Sequence, residues 1–395
     1  MLSGFFDEEI IMDFSLSRKQ EVFRDEVRSF FNREKQLAKE ALKEYELGQG
    51  FGSSCWEMLQ KVGERGWLCP TWPKKYGGLE LSFMYRYLIQ EEMHRAIGLF
   101  STVGAGMAGP IIMKQGSKEQ KEKYLLPIAK GEVEFALGYT EPDAGSDLAS
   151  LKIQAEDKGD YFLLNGEKMF NTRVHFAQYH WLGVRTKEIL PLHKGISLMI
   201  VDLKNTPGIK ITPYYTLSGT RTNGIFYDNV KVPKKALVGE KNKGFYYILE
   251  ALAYERIVTV AGLERDFNEL VDFVKSSNMG KDPLIRQKMA DLAIDVEAVR
   301  LFALKVAWML DNDVIPSHEA AMLKIHASET DQKLVNIAMQ IMGPYGQLKK
   351  GSKWAQLDGK FEWRYKDSLE FLIVMGTSEI LRNVIADRGL GLPRV

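Results

Sequence analysis

The run Gly138-Tyr-Thr-Glu-Pro-Asp-Ala-Gly-Ser-Asp147 holds the residues best suited to grip a ligand. Ala144 and Gly145 are small turn formers set between a proline and the hydroxyl of Ser146. An apolar, strand-like lead-in, Val133-Glu-Phe-Ala-Leu137, delivers the chain to that turn. Such a loop lets backbone N–H groups and a serine hydroxyl converge on a flat polar ring or a phosphate. The same letters also describe an ordinary strand ending in a turn, and physics alone does not choose between the two. Other chemistries find less support. Cys55 and Cys69, the two cysteines, form no CxxC or Cys/His cluster. A disulfide framework or zinc site is therefore not expected, and reduced thiols in an intracellular compartment are. The six histidines show no HxxxH spacing beside an acid, so no metal site is expected.

A chain of 395 residues, 45% of them hydrophobic, can bury large cores and divide into two or three domains. Lys+Arg 53 against Asp+Glu 52 leaves a net charge of +1, which gives no electrostatic case for nucleic acid or an anionic membrane. The start, Met1-Leu-Ser-Gly-Phe-Phe-Asp-Glu-Glu-Ile10, is acidic and reads as neither a signal nor a transit peptide. No apolar run reaches the roughly 18 residues of a membrane span. A soluble cytoplasmic protein is expected.

These residues need elements to hold them. Asp13-Phe-Ser-Leu-Ser17 offers caps before a helical segment over 18–40, where Val22, Val27, Phe30 and Phe31 recur at helical spacing. Helices are also expected over 82–97 and 117–129, either side of a glycine-spaced stretch at Gly104–Gly109. From about Glu134 to Val238 the pattern turns to β. Tyr161-Phe-Leu-Leu-Asn-Gly-Glu-Lys168 reads as strand, Asn-Gly turn, strand, and Ile196–Asp202, Ile209–Thr212 and Ile225–Val232 add further runs. Long helical periods return over 245–276, 283–311 and 318–342. The layout is helices, a sheet domain, then a helical bundle.

Both that order and a series of motifs resemble the acyl-CoA dehydrogenase family. Thr140-Glu-Pro-Asp-Ala-Gly-Ser-Asp147 is similar to its flavin-binding signature. Further matching pieces are Trp72-Pro-Lys-Lys-Tyr-Gly-Gly78, Asn165-Gly-Glu-Lys168, Val230-Lys-Val-Pro233, Gly239–Phe245, Gln340-Ile-Met-Gly343 and Gly376-Thr-Ser-Glu-Ile-Leu-Arg382. The resemblance runs from about Met12 to the C-terminus. It implies an α+β fold: an N-terminal helical domain (1–133), a middle β-barrel or sheet domain (134–242) and a C-terminal four-helix bundle (243–395).

The resemblance also implies FAD and α,β-desaturation of an acyl-CoA thioester. A base takes the α-proton while a hydride leaves the β-carbon for flavin N5. In many members the base is a glutamate immediately before Gly-Thr-Ser, but Met375 stands there, and a thioether cannot accept a proton at neutral pH. Other branches, with isovaleryl-type and long-chain-type enzymes among them, carry the base on the first C-terminal helix, before a recurrent arginine. Glu255-Arg256 matches that pair, so Glu255 is the expected base. The backbone N–H of Met375 is then the expected donor to the thioester oxygen, since a backbone donor survives side-chain replacement.

Tyr139, Thr140, Ser146, Phe170 and Thr172 are the implied flavin contacts, with Phe170 in place of the usual tryptophan. Thr377 and Glu379 are implied on its adenosine side, and Gln340 and Gly343 as contacts made by a neighbouring subunit. Ser146, Tyr254 and Arg256 are the implied acyl-CoA contacts. The sequence also departs from the family. Ser276 stands where an arginine commonly meets the FAD pyrophosphate, with Lys281 as a possible substitute charge, and Pro344 replaces a glycine. The implied assembly is a homotetramer, a dimer of dimers, passing electrons to an electron-transfer flavoprotein. Alternatives are a non-catalytic partner subunit of a hetero-oligomer and a flavin-dependent acyl-CoA oxidase.

Overall fold

A computed structural model describes residues 14–46, 51–99, 101–255 and 260–393. The first helices are α1 (Arg18–Arg33), α2 (Lys35–Glu46), α3 (Ser53–Glu64), α4 (Phe83–Ile97), α5 (Gly109–Gln115) and α6 (Lys118–Ala129). Ser17 caps α1 and Ser117 caps α6, each through a reciprocal box with the glutamine three residues on. The stretch expected as one helix over 18–40 breaks at Glu34 into α1 and α2. Val27, Phe30 and Phe31 turn inward with Met58, Leu59 and Met93 to form the core of this part.

The strands are β1 (Phe135–Gly138), β2 (Gln154–Asp157), β3 (Tyr161–Lys168), β4 (Tyr179–Arg185), β5 (Ile196–Asp202), β6 (Ile209–Tyr215) and β7 (Arg221–Pro233). They form one sheet in the order β1-β4-β2-β3-β7-β6, with β5 also paired to β4. The expected Asn165-Gly166 hairpin is not there. β3 runs straight through it and pairs with β7, with a register shift between Leu164 and Gly166. Gly166 has φ 138°, and Asn165 Oδ1 accepts from the Asn229 N–H at 2.7 Å. The Asn-Gly pair makes a bulge rather than a turn.

The last helices are α7 (Gly244–Glu255), α8 (Ala261–Ser276), α9 (Pro283–Asp311), α10 (His318–Met342), α11 (Lys360–Phe371) and α12 (Ser378–Val384). The segment expected as one helix over 245–276 is thus two described helices, α7 and α8. Ile248 and Ala251 of α7 are buried in the core of the sheet domain, beside Trp181 and Leu198. The start of α7 lies so close to β5 that a Cβ on Gly244 would sit 2.3 Å from the Ser197 carbonyl carbon. Only glycine fits there. A separate core joins α8, α9, α10 and α11 through Leu270, Val299, Leu334 and Phe361. Among the described residues no helix is long and apolar enough to cross a membrane.

Candidate active site

The motif Gly138–Asp147 is fastened to the sheet from below. The Glu141 carboxylate accepts the N–H groups of Lys152 (2.6 Å) and Ile153 (3.0 Å) and the Lys168 ammonium (2.9 Å). Lys168 also donates to the Tyr139 carbonyl at 2.9 Å. Burial pushes the Lys168 ammonium down to about 8, although Glu141 opposes that shift. Tyr139 is buried and its hydroxyl accepts from Trp181 Nε1 at 2.8 Å. Thr140 accepts the Met169 N–H through its carbonyl at 2.9 Å. That bond draws the motif against the segment after β3.

This segment holds Phe170 and Thr172. His180 of β4, fully buried, lies 2.8 Å from Asn171 Oδ1 through Nε2 and 2.5 Å from the Tyr227 hydroxyl through Nδ1. Burial drives the imidazole down to about 3, so it is neutral. With Asn171 Oδ1 as acceptor, Nε2 carries the proton and Nδ1 accepts from Tyr227. Asn171 is thereby pinned, and its neighbours take unusual positions. Phe170 sits at φ 56° with 62% of its surface exposed, and the Thr172 hydroxyl meets that of Thr222 at 3.2 Å. Ser146 is exposed at the outer edge of the motif.

Thr172 and Met375 line one cavity of about 280 Å³ where the sheet domain meets the C-terminal helices. Met375 has φ 59° and Gly376 φ 94°. A methionine in the left-handed region costs about 1–2 kcal/mol, so the surrounding structure must impose it. Lys324 of α10, 1% exposed, does part of this by donating to the Gly376 carbonyl at 3.0 Å. Among the described residues no acceptor takes the Met375 N–H.

The same cavity is bordered by an ion network. Arg364 of α11 contacts Asp266 of α8 (2.8 Å), Asp331 of α10 (2.5 Å) and Asp367 (3.3 Å). Lys360 adds a second cation to Asp266 at 2.7 Å, and the Ser218 hydroxyl reaches Asp367 at 3.1 Å from the β6–β7 connection. Burial pushes the Asp266 carboxyl up, but Arg364 and Lys360 more than offset it and hold it well below the usual range. For Asp331, burial wins and the carboxyl is raised. Glu370 lines the cavity too, and burial followed by Asp367 raises its carboxyl.

A second cavity, about 370 Å³, is lined by residues that flank Met375 and Gly376 in the chain, among them Ile373, Thr377, Ser378, Glu379 and Arg382. Thr377 caps α12 by accepting the Ile380 N–H at 3.2 Å. Ser378 Oγ is buried there without a hydrogen-bond partner. A buried, unused hydroxyl in a polar cavity fits a ligand that has yet to supply its partner.

The structure thus groups Thr172 with Met375, groups Thr377 with Glu379, and ties Tyr139 and Thr140 to the Phe170 segment. Gln340 and Gly343 line neither cavity, and Gln340 Oε1 accepts from Lys288 at 2.5 Å. Glu255 ends α7, but its side chain, that of Tyr254 and all of Arg256 lie outside the described residues. Sequence reading missed His180, Lys324, Arg364 and Glu370. His180 lies in Tyr179-His-Trp-Leu182, a strand buried on both faces, so alternation does not mark it, and nothing local marks the other three.

Three family models match the chain in order. They are the acyl-CoA dehydrogenase N-terminal domain over residues 17–132, the middle domain over 136–230 and the C-terminal domain over 242–390. The chain belongs to the acyl-CoA dehydrogenase family. Members are oxidoreductases that act on CH–CH bonds of acyl-CoA and bind FAD. The acyl-CoA dehydrogenase FadE26 of Mycobacterium tuberculosis is 32% identical, over 97% of this chain and 99% of that one. The subunit CarC of the caffeyl-CoA reductase-Etf complex of Acetobacterium woodii is 32% identical over 94% and 98%. Among solved structures, the Tcur3481-Tcur3483 steroid ACAD superposes with a TM-score of 0.90 at 34% identity, covering 97% of this chain and 100% of that one.

Proposed function

We propose that the protein desaturates an acyl-CoA thioester between its α and β carbons. Glu255 is the base for the α-proton, and the Met375 N–H is the donor to the thioester oxygen. The observation that carries this reading is Met375 itself. Its backbone is held left-handed at the cavity that Thr172 shares, and its N–H has no acceptor among the described residues. A donor fixed before substrate arrives needs no reorganisation when charge builds on the oxygen.

α7 supplies the base from a rigid mount, because Gly244 and Ile248 seat it on the sheet. An apolar acyl group would raise the Glu255 carboxylate toward the working pH by excluding water. Bound FAD supplies the hydride acceptor at N5. Thr140, Phe170 and Thr172 would hold its ring, Tyr139 would back it, and Ser146 would face its pyrophosphate or the CoA. Thr377, Ser378 and Glu379 would take its adenosine side. Gln340 and Gly343, which face neither cavity of their own chain, would serve the dinucleotide of a neighbour. Tyr254 and Arg256 would meet the acyl-CoA. The domains on this reading are 1–133, 134–242 and 243–395.

Glu255→Gln should keep fold and FAD while turnover falls by about 10²–10⁴-fold, the range for loss of a general base. Turnover near wild type in that variant would remove Glu255 from the mechanism. An electron-transfer flavoprotein is the proposed acceptor, supported by a relative that is a subunit of an Etf complex. Peroxide released at the turnover rate would point instead to an oxidase.

A second reading draws on Ser276, where the arginine for the FAD pyrophosphate is missing, and on the similar Tcur3481-Tcur3483 steroid ACAD, a pair of proteins by its name. In it the chain works as half of a hetero-oligomer rather than a homotetramer. Purified alone, the protein would then be colourless and turn yellow only with its partner chain. About one FAD per chain in the isolated protein would exclude that.

A further inference from the structure

We propose, building on the desaturation reading, that the cavity selects acyl groups ending in a hydroxyl-bearing ring, with Glu370 as the acceptor for that hydroxyl. Two features of the lining point this way. Phe51, Phe176, Trp363 and Phe371 give it flat apolar faces, which suit a ring better than a flexible chain. Beside them sits a charged border. Arg364, Asp331 and Asp367 keep 11–13% side-chain exposure and all line the cavity. An alkyl chain laid across them would strip their remaining hydration and return no hydrogen bond. An oxygen function on the acyl group returns one.

Glu370 decides which oxygen function. It stands on α11, five residues before Met375 in the sequence, and lines the same cavity. Among the described residues its carboxyl makes no hydrogen bond or ion pair, unlike the three aspartates around Arg364. A half-buried carboxylate with free acceptor positions asks for a donor, and a ring hydroxyl is one. A terminal carboxylate on the acyl group is disfavoured. Arg364 is already matched by three aspartates, and Glu370 would repel a further anion. Glu370 is thus a specificity residue, separate from the proposed base.

The test is anaerobic flavin bleaching of the FAD-loaded protein with matched acyl-CoA pairs. One pair is 3-(4-hydroxyphenyl)propanoyl-CoA and 3-phenylpropanoyl-CoA. The alicyclic pair is 3-(4-hydroxycyclohexyl)propanoyl-CoA and its deoxy counterpart, which separates aryl from saturated rings. Octanoyl-CoA and glutaryl-CoA complete the panel. In at least one pair the hydroxylated member should be preferred in kcat/KM by at least about tenfold, because a site built for a hydroxyl rejects the analogue lacking it. Octanoyl-CoA and glutaryl-CoA should be poorer still. In Glu370→Leu the preference should shrink to within about threefold while the deoxy compound still bleaches. If that variant loses FAD, Glu370→Met, of similar size and without an oxygen acceptor, should show the same loss of preference. Octanoyl-CoA as good as the best ring substrate, or a ratio unchanged by either variant, would overturn the proposal and leave desaturation standing. Bleaching by no acyl-CoA at all would overturn the desaturation reading itself, and this proposal with it.

Discussion

Met375 combines two facts that are separate in the sequence and joined in the structure. Its thioether cannot serve as a base, yet its backbone is set in the left-handed region at the edge of the cavity. The bond from Lys324 Nζ to the Gly376 carbonyl is one of the forces that hold this turn. A charge-assisted bond of this kind is worth roughly 1.5–3 kcal/mol. Lys324→Met, similar in volume and without a donor, should therefore let the turn relax. The expected outcome is a kcat lower by about tenfold or more, with KM for acyl-CoA and FAD content near wild type. Lys324→Arg should recover part of kcat. An equal loss of FAD in Lys324→Met would mean that the lysine merely supports the fold. Lys324 could not have been found from sequence, because it lies mid-helix in Met322-Leu-Lys-Ile325 with no neighbour in sequence that it serves.

At the scale of elements, the flavin-like motif depends on a buried pair, Glu141 in the loop after β1 and Lys168 at the end of β3. Glu141→Gln leaves the Lys168 cation buried without its counter-charge and weakens the bonds that Glu141 accepts from the Lys152 and Ile153 N–H groups. Breaking a buried pair from one side costs roughly 3–5 kcal/mol. At pH 7 the variant should unfold at a clearly lower temperature than wild type. Lys168 already has its ammonium lowered to about 8, and loss of Glu141 removes a force holding it up. Above that pH the variant's lysine is neutral, so its thermal deficit should shrink between pH 7 and pH 9. A deficit that stays constant across that interval would show that the charge is not the cause. Much of this framework was legible beforehand. The helices over 283–311 and 318–342 fall where their apolar periods place them. The Asn165-Gly166 turn did not form, because long-range pairing with β7 and the Asn229 bond outweigh a local hairpin preference. Thr172 and Met375 were legible as site residues only through motif resemblance, since 203 residues separate them in the chain.

For the whole molecule, four buried titratable groups give opposing responses to acid. His94 and His180 are pushed by burial from 6.5 to about 3. Below pH 6.5 the unfolded chain binds protons at both and the folded chain does not, so both erode stability as pH falls. Glu91 and Glu134 are raised by burial from 4.5 to about 7. Between pH 7 and pH 4.5 the folded chain holds protons there that the unfolded chain lacks, so both add stability as pH falls. From pH 6.5 to 4.5 the two pairs cancel. Below 4.5 the Glu91 and Glu134 carboxyls are protonated in both states and no longer offset the two histidines. Asp266, held low by Arg364 and Lys360 against its burial, then adds to the loss. The wild-type urea midpoint should therefore change little between pH 6.5 and 4.5 and fall sharply below. A Glu91→Gln/Glu134→Gln double variant removes the compensating half. Its stability should fall from pH 6.5 downward, by up to about 1.4 kcal/mol per pH unit for each histidine left unbalanced. Glutamine keeps an acceptor for the Val260 N–H that Glu91 now takes at 2.8 Å, so the starting stability at pH 7 should fall less than the slope changes. A double variant with a midpoint as flat as wild type would show that acid sensitivity lies elsewhere. The balance also has a consequence for the site. His94 lines the main cavity beside Arg265 and Asp266, so a protein that stays folded to pH 4.5 keeps that wall uncharged at His94 throughout the range.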